Sequence, residues 1–475
     1  MNEQQVRGMS MHYLSTRGGV APVGFSAAVM MGLGTDGGLL LPAKVPQVGP
    51  DTLRDWSRLS FQDLAVELMS PFVADVIPRA DLLDLIRRSY ETFSHQEVIP
   101  LVRIGNHWVL ELFHGPTAAF KDVALQFLGN VFEYLLARDG GQLNILGATS
   151  GDTGSAAIAG VRGKERIRIF ILHPAGRVSP IQERQMTTVT DGNVHNIAIR
   201  GTFDDGQRIV KSLFNDLNFK QRYNLGAVNS INWARILAQI VYYFYAWGRI
   251  SRGDPAVRIS FSVPTGNFGD IFAGYMAKRM GLPIDRLLIA TNRNDILPRF
   301  VTDGHYAAGE VHPTLSPAMD VQIASNFERY LYFLVGEDPA AVRALLAEMG
   351  RTGSLRVTAE QQAALADDFD ATAVSDERIL SRIRETYEYH GYILDPHTAV
   401  GVQAAHKRIG MVCLATAHPA KFNDAVRQAI GTPAPPPPCL HGLLERETRC
   451  VRLEPTEEAV REYIRSTLAT TGDPS

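Results

Sequence analysis

Apolar runs rich in β-branched residues alternate with helical patterns through the middle of the chain. In the first such unit, the apolar run Leu143–Leu146 is followed by a turn of small residues, Gly147–Gly154, and by a helical pattern from Ser155. Three more units repeat this order of run, turn and helix: Val194–Ile199, Gly201–Asp205 and Gln207–Asn215; Arg258–Val263, Pro264–Gly269 and Ile271–Arg279; Gly410–Ala415, Thr416–Pro419 and Ala420–Ile430. Strands that alternate with helices are typical of βαβ units, so the pattern predicts an α/β fold with parallel-rich open sheets flanked by helices. Ligands bind at the carboxyl ends of such strands, where these turns lie.

The two ends of the chain depart from this pattern. Near the start, a Gly-rich stretch precedes two amphipathic helical patterns at Leu59–Met69 and Ala80–Phe93. Near the end, the proline-rich segment Thr432–Pro438 predicts a stiff, extended connector. We therefore expect four consecutive parts: an N-terminal subdomain (1–95), two central domains (96–250 and 251–431), and a connector with a C-terminal extension (432–475).

The composition disfavours nucleic-acid-binding, membrane, disulfide-rich and metal-binding proteins. The 475 residues are 45% hydrophobic and 20% charged, and 47 Lys and Arg residues face 50 Asp and Glu residues. That balance disfavours a nucleic-acid-binding protein, which needs a basic excess. The most apolar stretch, Ile236–Trp247, is shorter than the ~20 residues that span a bilayer. The three cysteines show neither a disulfide pattern nor metal-ligand spacing. We expect a globular protein in a reduced, cytoplasmic compartment, with no metal, nucleic acid or membrane.

Lys121 stands where a turn becomes a helix. Gly115-Pro116 forces a turn, and a helical apolar pattern runs from Val123 to a Gly-Gly pair at 140–141. A lysine near the first helical turn meets the positive end of the helix dipole, and Phe120 beside it is apolar. Both effects lower a lysine pKa, as a nucleophilic or Schiff-base lysine requires. Taken alone, Lys121 also fits a surface lysine at a helix end.

Two further turns suit anionic ligands. The stretch Gly147–Gly154 lacks the Lys-Ser/Thr ending of an ATP-binding P-loop, but its amides and hydroxyls precede a helix N-terminus, which attracts carboxylate or phosphate. The stretch Thr265–Asp270 has the same construction, and its two glycines allow close backbone approach and positive φ. A third Gly-rich stretch, Gly32-x-Gly34-x-x-Gly37, is followed by Leu39–Pro42 and not by a helix, so it is a structural turn and not a dinucleotide site.

Read in order, these motifs resemble those of the threonine synthase family, in the longer form of fungi and many bacteria. The resemblance is carried by Tyr13-Leu-Ser-Thr-Arg-Gly18, His114-Gly-Pro-Thr-Ala-Ala-Phe-Lys-Asp122, Thr149-Ser-Gly-Asp-Thr-Gly-Ser155, Asn229-Ser-Ile-Asn-Trp-Ala-Arg-Ile236, Gly266-Asn-Phe-Gly-Asp270, Ser316-Pro-Ala-Met-Asp320 and Ala415-Thr-Ala-His-Pro-Ala-Lys-Phe422. It implies a pyridoxal 5'-phosphate enzyme of the tryptophan-synthase-β type, with two parallel-rich open sheets, an N-terminal subdomain and a C-terminal extension.

The resemblance also implies roles for individual residues. Lys121 corresponds to the lysine that forms the Schiff base with the cofactor. Gly266, Asn267, Phe268, Gly269 and Asp270 correspond to the loop that holds its phosphate, and Thr416 to the hydroxyl residue beside its ring nitrogen. The substrate-carboxylate loop contains Ser150, Asp152, Thr153 and Ser155. Many relatives carry Asn at both aspartate positions, so the role of Asp152 stays open and Asp270 is expected to act through its backbone.

The reaction that the resemblance implies is conversion of O-phospho-L-homoserine and water to L-threonine and phosphate by a monomer or homodimer. Asn232 and Arg235 are candidates for the substrate phosphate, although Arg235 fits a buried ion-pair residue equally well. For His397 and His418, a structural hydrogen bond is favoured over catalysis. Two alternatives stay open: a phospholyase that releases 2-oxobutyrate, ammonia and phosphate from the same substrate, and a catalytically silent protein that binds the cofactor.

Overall fold

The computed structural model describes residues 11–470, apart from the side chain of Thr470. Its strands, in chain order, are β1 (Tyr13–Ser15), β2 (Leu40–Pro42), β3 (Leu101–Ile104), β4 (His107–Glu111), β5 (Leu143–Ala148), β6 (Ile167–Pro174), β7 (Val194–Ile199), β8 (Leu225–Gly226), β9 (Ile259–Pro264), β10 (Ile284–Thr291), β11 (His305–Ala307), β12 (Ser354–Arg356), β13 (Phe369–Ala373), β14 (Val412–Ala415) and β15 (Val451–Leu453).

Its helices are α1 (Phe25–Met31), α2 (Pro50–Trp56), α3 (Phe61–Val73), α4 (Arg79–Tyr90), α5 (Lys121–Asp139), α6 (Asp152–Val161), α7 (Pro180–Thr187), α8 (Phe203–Asn215), α9 (Leu217–Arg222), α10 (Trp233–Ser251), α11 (Gly269–Arg279), α12 (Ile296–Asp303), α13 (Phe327–Leu334), α14 (Pro339–Thr352), α15 (Ala359–Asp368), α16 (Asp376–His390), α17 (Pro396–Ala405), α18 (Asn423–Ile430) and α19 (Glu457–Thr470). Short 3₁₀ turns lie at Pro317–Met319, Pro419–Phe422, Pro438–Leu440 and Leu443–Glu445.

The chain forms two compact units, each assembled from separated stretches. The first unit contains the residues up to Ala124 together with Ser230–Pro435, and the second contains Leu125–Asn229 together with the residues from Pro436 onward. The two units are therefore discontinuous in sequence. The four consecutive parts expected from the sequence stay a prediction.

A six-stranded sheet organises the first unit. Its strand order is β13-β10-β9-β14-β4-β3, and every neighbouring pair is parallel except β3 with β4. Buried apolar residues of β4, β10, β14, α16 and α17 form one core cluster on this sheet. The helix α10 is buried along nearly its whole length, which explains the apolar stretch Ile236–Trp247 as a core helix. In the described part of the chain, no helix has the length and hydrophobicity to cross a membrane.

A five-stranded, all-parallel sheet organises the second unit. Its order is β15-β7-β6-β5-β8, so the C-terminal segment supplies an edge strand. The following helix, α19, buries Val460, Ile464 and Leu468, whose spacing of four residues places them on one face. These three side chains share a core cluster with Phe170 and Ile197 of the sheet. The C-terminal segment is thus an integral part of this unit.

The predicted α/β class with two parallel-rich sheets is confirmed, and the differences lie at helix ends. Helix α6 begins at Asp152, three residues before the predicted start, because Gly151 ends the turn. Helix α8 begins at Phe203, since Thr202 and Asp205 form a reciprocal capping box there. The predicted helix from Ala420 is instead a 3₁₀ turn followed by α18.

Candidate active site

The turn before α5 sets the position of Lys121. The carboxylate of Asp122 accepts hydrogen bonds from the Thr117 N–H at 2.8 Å and the Thr117 hydroxyl at 2.6 Å. A side chain at position 115 would collide with Asp122, so the turn requires Gly115. Burial raises the pKa of Asp122 to about 6, although the Thr117 bonds and the charge of Lys421 act in the opposite direction. This closed turn makes Lys121 the first residue of the helix.

Lys121 and Thr416 belong to adjoining segments of the first unit. The Lys121 Nζ lies 4.8 Å from the centroid of the Phe120 ring. The Phe120 N–H donates to the Thr416 carbonyl oxygen at 2.8 Å, and Ala119 forms an isolated bridge with Ala417. The end of β14 is therefore tied to the start of α5, and the structure brings these two predicted site residues together.

The backbone of Thr416 is fixed from both sides. Its N–H donates to the hydroxyl of Thr398 at 3.2 Å, and that hydroxyl donates to Asp395, the N-cap residue of α17. Among the residues that the structure describes, none is hydrogen-bonded to the Thr416 hydroxyl. A hydroxyl on a fixed backbone, with no partner among the described residues, suits the neutral contact to a ring nitrogen that the resemblance implies.

The loop Gly266–Asp270 presents unpaired amides at the start of α11. Within the described residues, the N–H groups of Gly269, Asp270 and Ile271 donate to no backbone carbonyl. Free first-turn amides at a helix N-terminus favour an anion. An added Cβ on Gly266 would lie 2.9 Å from the Ala318 carbonyl oxygen, so this glycine is required by neighbouring backbone. The residues present fit a phosphate group.

The left-handed residue of this loop is not one of its glycines. Gly266 and Gly269 allow a positive φ, but the residue that adopts one is Phe268, with φ 63°. A bulky residue seldom adopts this conformation unless packing stabilises it. The Phe268 ring is buried, with centroids 5.3 Å from Phe327 and 5.6 Å from Phe369. Tertiary packing therefore holds the loop in a conformation that its own residues do not favour.

The Asp270 side chain is engaged away from the loop. Its Oδ1 accepts hydrogen bonds from the hydroxyls of Tyr242 and Tyr243, and its Oδ2 is buried without a partner among the described residues. Burial raises the pKa of Asp270 to about 6, while the tyrosine bonds and the positive charge of Lys121 act in the opposite direction. Only the Asp270 backbone is left for an anion, and its carboxylate interacts electrostatically with Lys121.

Arg235 and Asn232 differ in how many of their hydrogen-bonding groups are already bonded within the protein. Arg235 is 4% exposed, and in the described chain its Nε and Nη1 have no hydrogen-bond partner. Burial lowers its pKa to about 10. Asn232 is fully buried and already bonded at both ends, since its oxygen accepts from the Ala234 N–H at 3.0 Å and its Nδ2 donates to Val29 at 2.8 Å. Arg235 therefore has two nitrogens left for an external anion, whereas the Asn232 oxygen and one of its two amide N–H groups are already bonded.

The loop Thr149–Ser155 lies in the second unit. The Thr149 hydroxyl accepts from the N–H groups of Gly151 and Gly154, and the Ser155 hydroxyl donates to the Gly151 carbonyl at 3.0 Å. Ser150 is exposed and Thr153 is partly exposed. Ser155 thus has an internal bond, which leaves Ser150, Thr153 and the backbone amides as the loop's most accessible groups.

Asp152, in the same loop, is held by a residue that the sequence did not indicate. Its Oδ1 accepts from Gln182 Nε2 at 2.8 Å, and the Ser179 hydroxyl donates to the Gln182 Oε1 at 2.9 Å. At Gly151, with φ 148°, an added Cβ would lie 2.5 Å from the Gln182 side chain. No motif marks Gln182, because its role depends only on how α7 packs against the loop.

Both histidines considered from the sequence bond to the backbone. The His397 Nε2 accepts from the Ala318 N–H at 3.2 Å, and its Nδ1 bonds to Asp395 at 2.9 Å. The His418 Nδ1 accepts from the Ala420 N–H at 3.2 Å, and burial lowers the pKa of His418 to about 4. These contacts support the structural roles expected for them. Across the part of the chain that the structure covers, no cluster of His, Cys, Asp and Glu could hold a metal.

Three family models match the chain in succession. "Threonine synthase N terminus" matches residues 12–90, "Pyridoxal-phosphate dependent enzyme" matches residues 97–357, and "Threonine synthase, C-terminal" matches residues 398–464. The second match alone covers more than half of the chain and contains Lys121 and the Gly266–Asp270 loop.

Individual relatives agree with these matches. Threonine synthase of Pseudomonas aeruginosa is 48% identical over 461 residues, covering 96% of this chain and 98% of that one. Threonine synthase of Saccharomyces cerevisiae is 50% identical over 459 residues, covering 89% of each. The crystal structure of a pyridoxal-phosphate-bound threonine synthase from Brucella melitensis superimposes with a TM-score of 0.94 at 48% identity, covering 96% of this chain and 99% of that one. The resemblance, the fold and the cofactor predicted from the sequence are confirmed. This chain belongs to the threonine synthase family of pyridoxal-phosphate-dependent lyases.

Proposed function

We propose that this enzyme converts O-phospho-L-homoserine and water to L-threonine and phosphate. The observation that carries the proposal is the buried guanidinium of Arg235, whose Nε and Nη1 lack an acceptor in the described chain. Burying a cation without an acceptor lowers the stability of the fold by several kcal/mol, because the ion loses its hydration. An anionic ligand bound to the cation offsets this loss. The Gly266–Asp270 loop provides for the cofactor phosphate, and Arg235 provides for a second anion.

The start of α10 lies beside the phosphate loop, within the first unit. The Ile236 Cδ1 is 3.6 Å from the position of an added Cβ on Gly269. Seven residues after Arg235, on the same face of α10, Tyr242 interacts electrostatically with Arg235 and donates its hydroxyl hydrogen bond to the Asp270 carboxylate of the loop. An anion bound by this guanidinium would lie in the same region as the groups proposed to hold the cofactor, which fits a phosphorylated substrate.

The residues divide the work as follows. When bound, pyridoxal 5'-phosphate supplies an electron sink for negative charge that develops on the substrate carbons. The Lys121 amine would hold the cofactor covalently, and it removes the proton from the substrate α carbon and later returns it. The Thr416 hydroxyl would be the neutral partner of the ring nitrogen. The amides of Gly266, Asn267, Phe268, Gly269 and Asp270 would hold the cofactor phosphate.

The substrate's own anionic groups need separate partners. We assign its carboxylate to the loop that contains Ser150, Asp152, Thr153 and Ser155, with Ser150 and Thr153 as its accessible hydroxyls. We assign its phosphate to Arg235, which stabilises the leaving group with charge-assisted hydrogen bonds. A β proton then leaves, and the γ C–O bond breaks with phosphate as the leaving group. Protons return at the γ and α carbons, the hydroxyl of water bonds to the β carbon and the remaining proton of water goes to phosphate, so threonine and phosphate are released in equal amounts.

Product analysis tests the proposal. Purified holoenzyme is incubated with O-phospho-L-homoserine, and threonine, 2-oxobutyrate, ammonia and phosphate are each quantified. We expect one threonine for each phosphate. Release of 2-oxobutyrate and ammonia would identify a phospholyase, and an absence of all products from holoenzyme with bound cofactor would identify a silent binding protein.

We further propose a cytoplasmic monomer or homodimer. Cys413, which is buried, and Cys450 are free thiols. Thiols without disulfides are typical of a reducing compartment. Sedimentation of the purified holoenzyme measures the assembly state, and a trimer or larger assembly would contradict this part of the proposal.

A further inference from the structure

Asn326 is hydrogen-bonded to the backbone of the Gly266–Asp270 loop. This residue is fully buried and directly precedes α13. Its backbone N–H donates to the Asn267 carbonyl oxygen at 3.0 Å, and its side-chain Nδ2 donates to the same oxygen at 3.1 Å. One loop carbonyl is therefore held by two donors from a single residue.

Arg329 decides which way the Asn326 amide faces. Its Nη1 donates to the Asn326 Oδ1 at 2.6 Å, and its Nε and Nη2 donate to the Leu40 carbonyl at 3.2 and 3.1 Å. Its Nη2 also donates to the Ile231 carbonyl at 2.5 Å. A guanidinium only donates, so the Asn326 oxygen must face Arg329 and the Asn326 NH₂ must face Asn267. The fully buried Arg329 thus determines the donor direction of Asn326.

Fixing the Asn267 carbonyl also fixes the next amide. In a planar trans peptide the C=O and the following N–H point in opposite directions. With the Asn267 carbonyl held towards Asn326, the Phe268 N–H is directed away from it. The left-handed φ of Phe268 and the burial of its ring hold the other side of this peptide. Two independent restraints therefore fix the direction in which the Phe268 N–H donates.

We propose that Asn326 is a positioning residue for the cofactor phosphate: its amide, oriented by Arg329, holds the Asn267–Phe268 peptide so that the Phe268 N–H donates to the phosphate. This inference rests on the proposed assignment of Gly266–Asp270 to that phosphate. It goes beyond that assignment, because Asn326 lies outside the loop and 56 residues after Asp270. Replacing Asn326 must therefore change the affinity for the phosphate group of the cofactor and not the affinity for its pyridine ring.

The test compares two ligands that differ only in that phosphate. Apoenzyme of the wild type, Asn326→Ala and Asn326→Asp is titrated with pyridoxal 5'-phosphate and with pyridoxal. We expect the affinity for pyridoxal 5'-phosphate to fall at least tenfold in both variants and the affinity for pyridoxal to change less than twofold. Asn326→Asp keeps the volume and an oxygen acceptor for Arg329, so it stays folded if Asn326→Ala does not.

Asn144→Ala is the matched control. Asn144 is also buried, and its Nδ2 also donates to a backbone carbonyl, that of Tyr223 at 2.7 Å, but it lies in the second unit. This variant should lose stability without changing the preference for pyridoxal 5'-phosphate over pyridoxal.

Each contrary result has a separate meaning. An unchanged preference in the Asn326 variants, with a lower melting temperature, would show that Asn326 is only structural. A loss of preference in Asn326→Asp but not in Asn326→Ala would show charge repulsion and not positioning. Both results overturn this inference and leave the loop assignment intact. A wild type that binds pyridoxal as tightly as pyridoxal 5'-phosphate would overturn the loop assignment itself, and this inference with it.

Discussion

Replacing Arg235 with Met tests whether the buried guanidinium binds the substrate at the expense of stability. Met is unbranched and of similar length, so it fills the space without charge. Arg235 is 4% exposed, and its Nε and Nη1 are unpaired in the described chain. If no anion is bound, this charge destabilises the fold. We therefore expect the substitution to stabilise the ligand-free protein while it weakens substrate binding.

The shift in the pKa of Arg235 gives the size of the expected change in the free energy of unfolding. Burial lowers the pKa of Arg235 from 12.5 to about 10. One pKa unit corresponds to about 1.4 kcal/mol, so holding the charge in the folded state costs about 3 kcal/mol. At pH 7 the guanidinium is charged in both the folded and the unfolded chain, because pH 7 lies below both pKa values, and the full cost is present. The free energy of unfolding of Arg235→Met should rise by about 1–3 kcal/mol, less than the full cost where Met packs imperfectly.

Denaturation and kinetics on the same preparation provide the assay. Urea unfolding of the substrate-free holoenzyme should show the gain in stability. Inorganic phosphate at ten times its Kd should stabilise the wild type by about 1.4 kcal/mol and the variant by nothing. The KM for O-phospho-L-homoserine should rise about tenfold or more, since hydrogen bonds to a charged group contribute about 1.5–3 kcal/mol. The affinity for pyridoxal 5'-phosphate should be unchanged.

Arg351, an exposed arginine that forms no ion pair with any residue the structure describes, supplies the control. Arg351→Met, in the last turn of α14, should leave stability and KM close to wild type. A loss of several kcal/mol of stability in Arg235→Met, with KM unchanged, would instead show that Arg235 is a structural cation. A loss of affinity for pyridoxal 5'-phosphate and not for the substrate would show that Arg235 binds the cofactor.

Lys121, Gly266 and Asp270 can each be tested by a single substitution. Lys121→Ala should abolish turnover and the cofactor attachment that borohydride makes permanent, detected by mass spectrometry, while the exposed control Lys211→Ala keeps both; multiple turnovers by Lys121→Ala would contradict its assignment. Gly266→Ala places a Cβ 2.9 Å from the Ala318 carbonyl oxygen, so cofactor affinity in an equilibrium titration should drop about tenfold, equivalent to about 1.4 kcal/mol, and an unchanged affinity would mean that the loop is not the phosphate site. Burial raises the pKa of Asp270 from an ordinary 3.8 to about 6, so the folded state binds more protons than the unfolded state between about pH 4 and 6. The contribution of Asp270 to stability therefore falls by about 3 kcal/mol as the pH rises through that window. The free energy of unfolding of Asp270→Asn, measured in urea, should depend less on pH there, and a pH dependence equal to wild type would show that Asp270 is not responsible.

Turn chemistry is the part of the site that was predictable. Gly115-Pro116, the small residues 147–154 and the stretch Thr265–Asp270 all specify turns through local properties of glycine, proline and short hydroxyl side chains. The structure has turns at all three places, each next to a helix N-terminus. Local signals of this kind act over a few residues, so they are visible without the fold.

The roles of individual polar side chains were less predictable. Asn232 and Arg235 belong to one sequence motif, yet the structure uses Asn232 as the N-cap of α10 and leaves the Arg235 guanidinium unpaired in the described chain. Gln182, Asn326 and Arg329 carry no motif, although they hold Asp152, the Asn267 carbonyl and the Asn326 amide. A hydrogen bond depends on two groups that meet in space, and spacing along the chain does not report that meeting.

The sequence by itself determined the class of fold and the place of Lys121 at the start of a helix, because alternating periodicities and turn residues act locally, and the order of its motifs identified the family. Only the tertiary structure decided that Phe268, and not a glycine, takes the left-handed conformation, since the aromatic core around its ring stabilises it. Only the tertiary structure placed the C-terminal strand β15 at the edge of a sheet whose other strands come from Leu143 to Gly226. Strand pairing between such distant segments depends on loop closure and on shared burial, which no window of sequence contains.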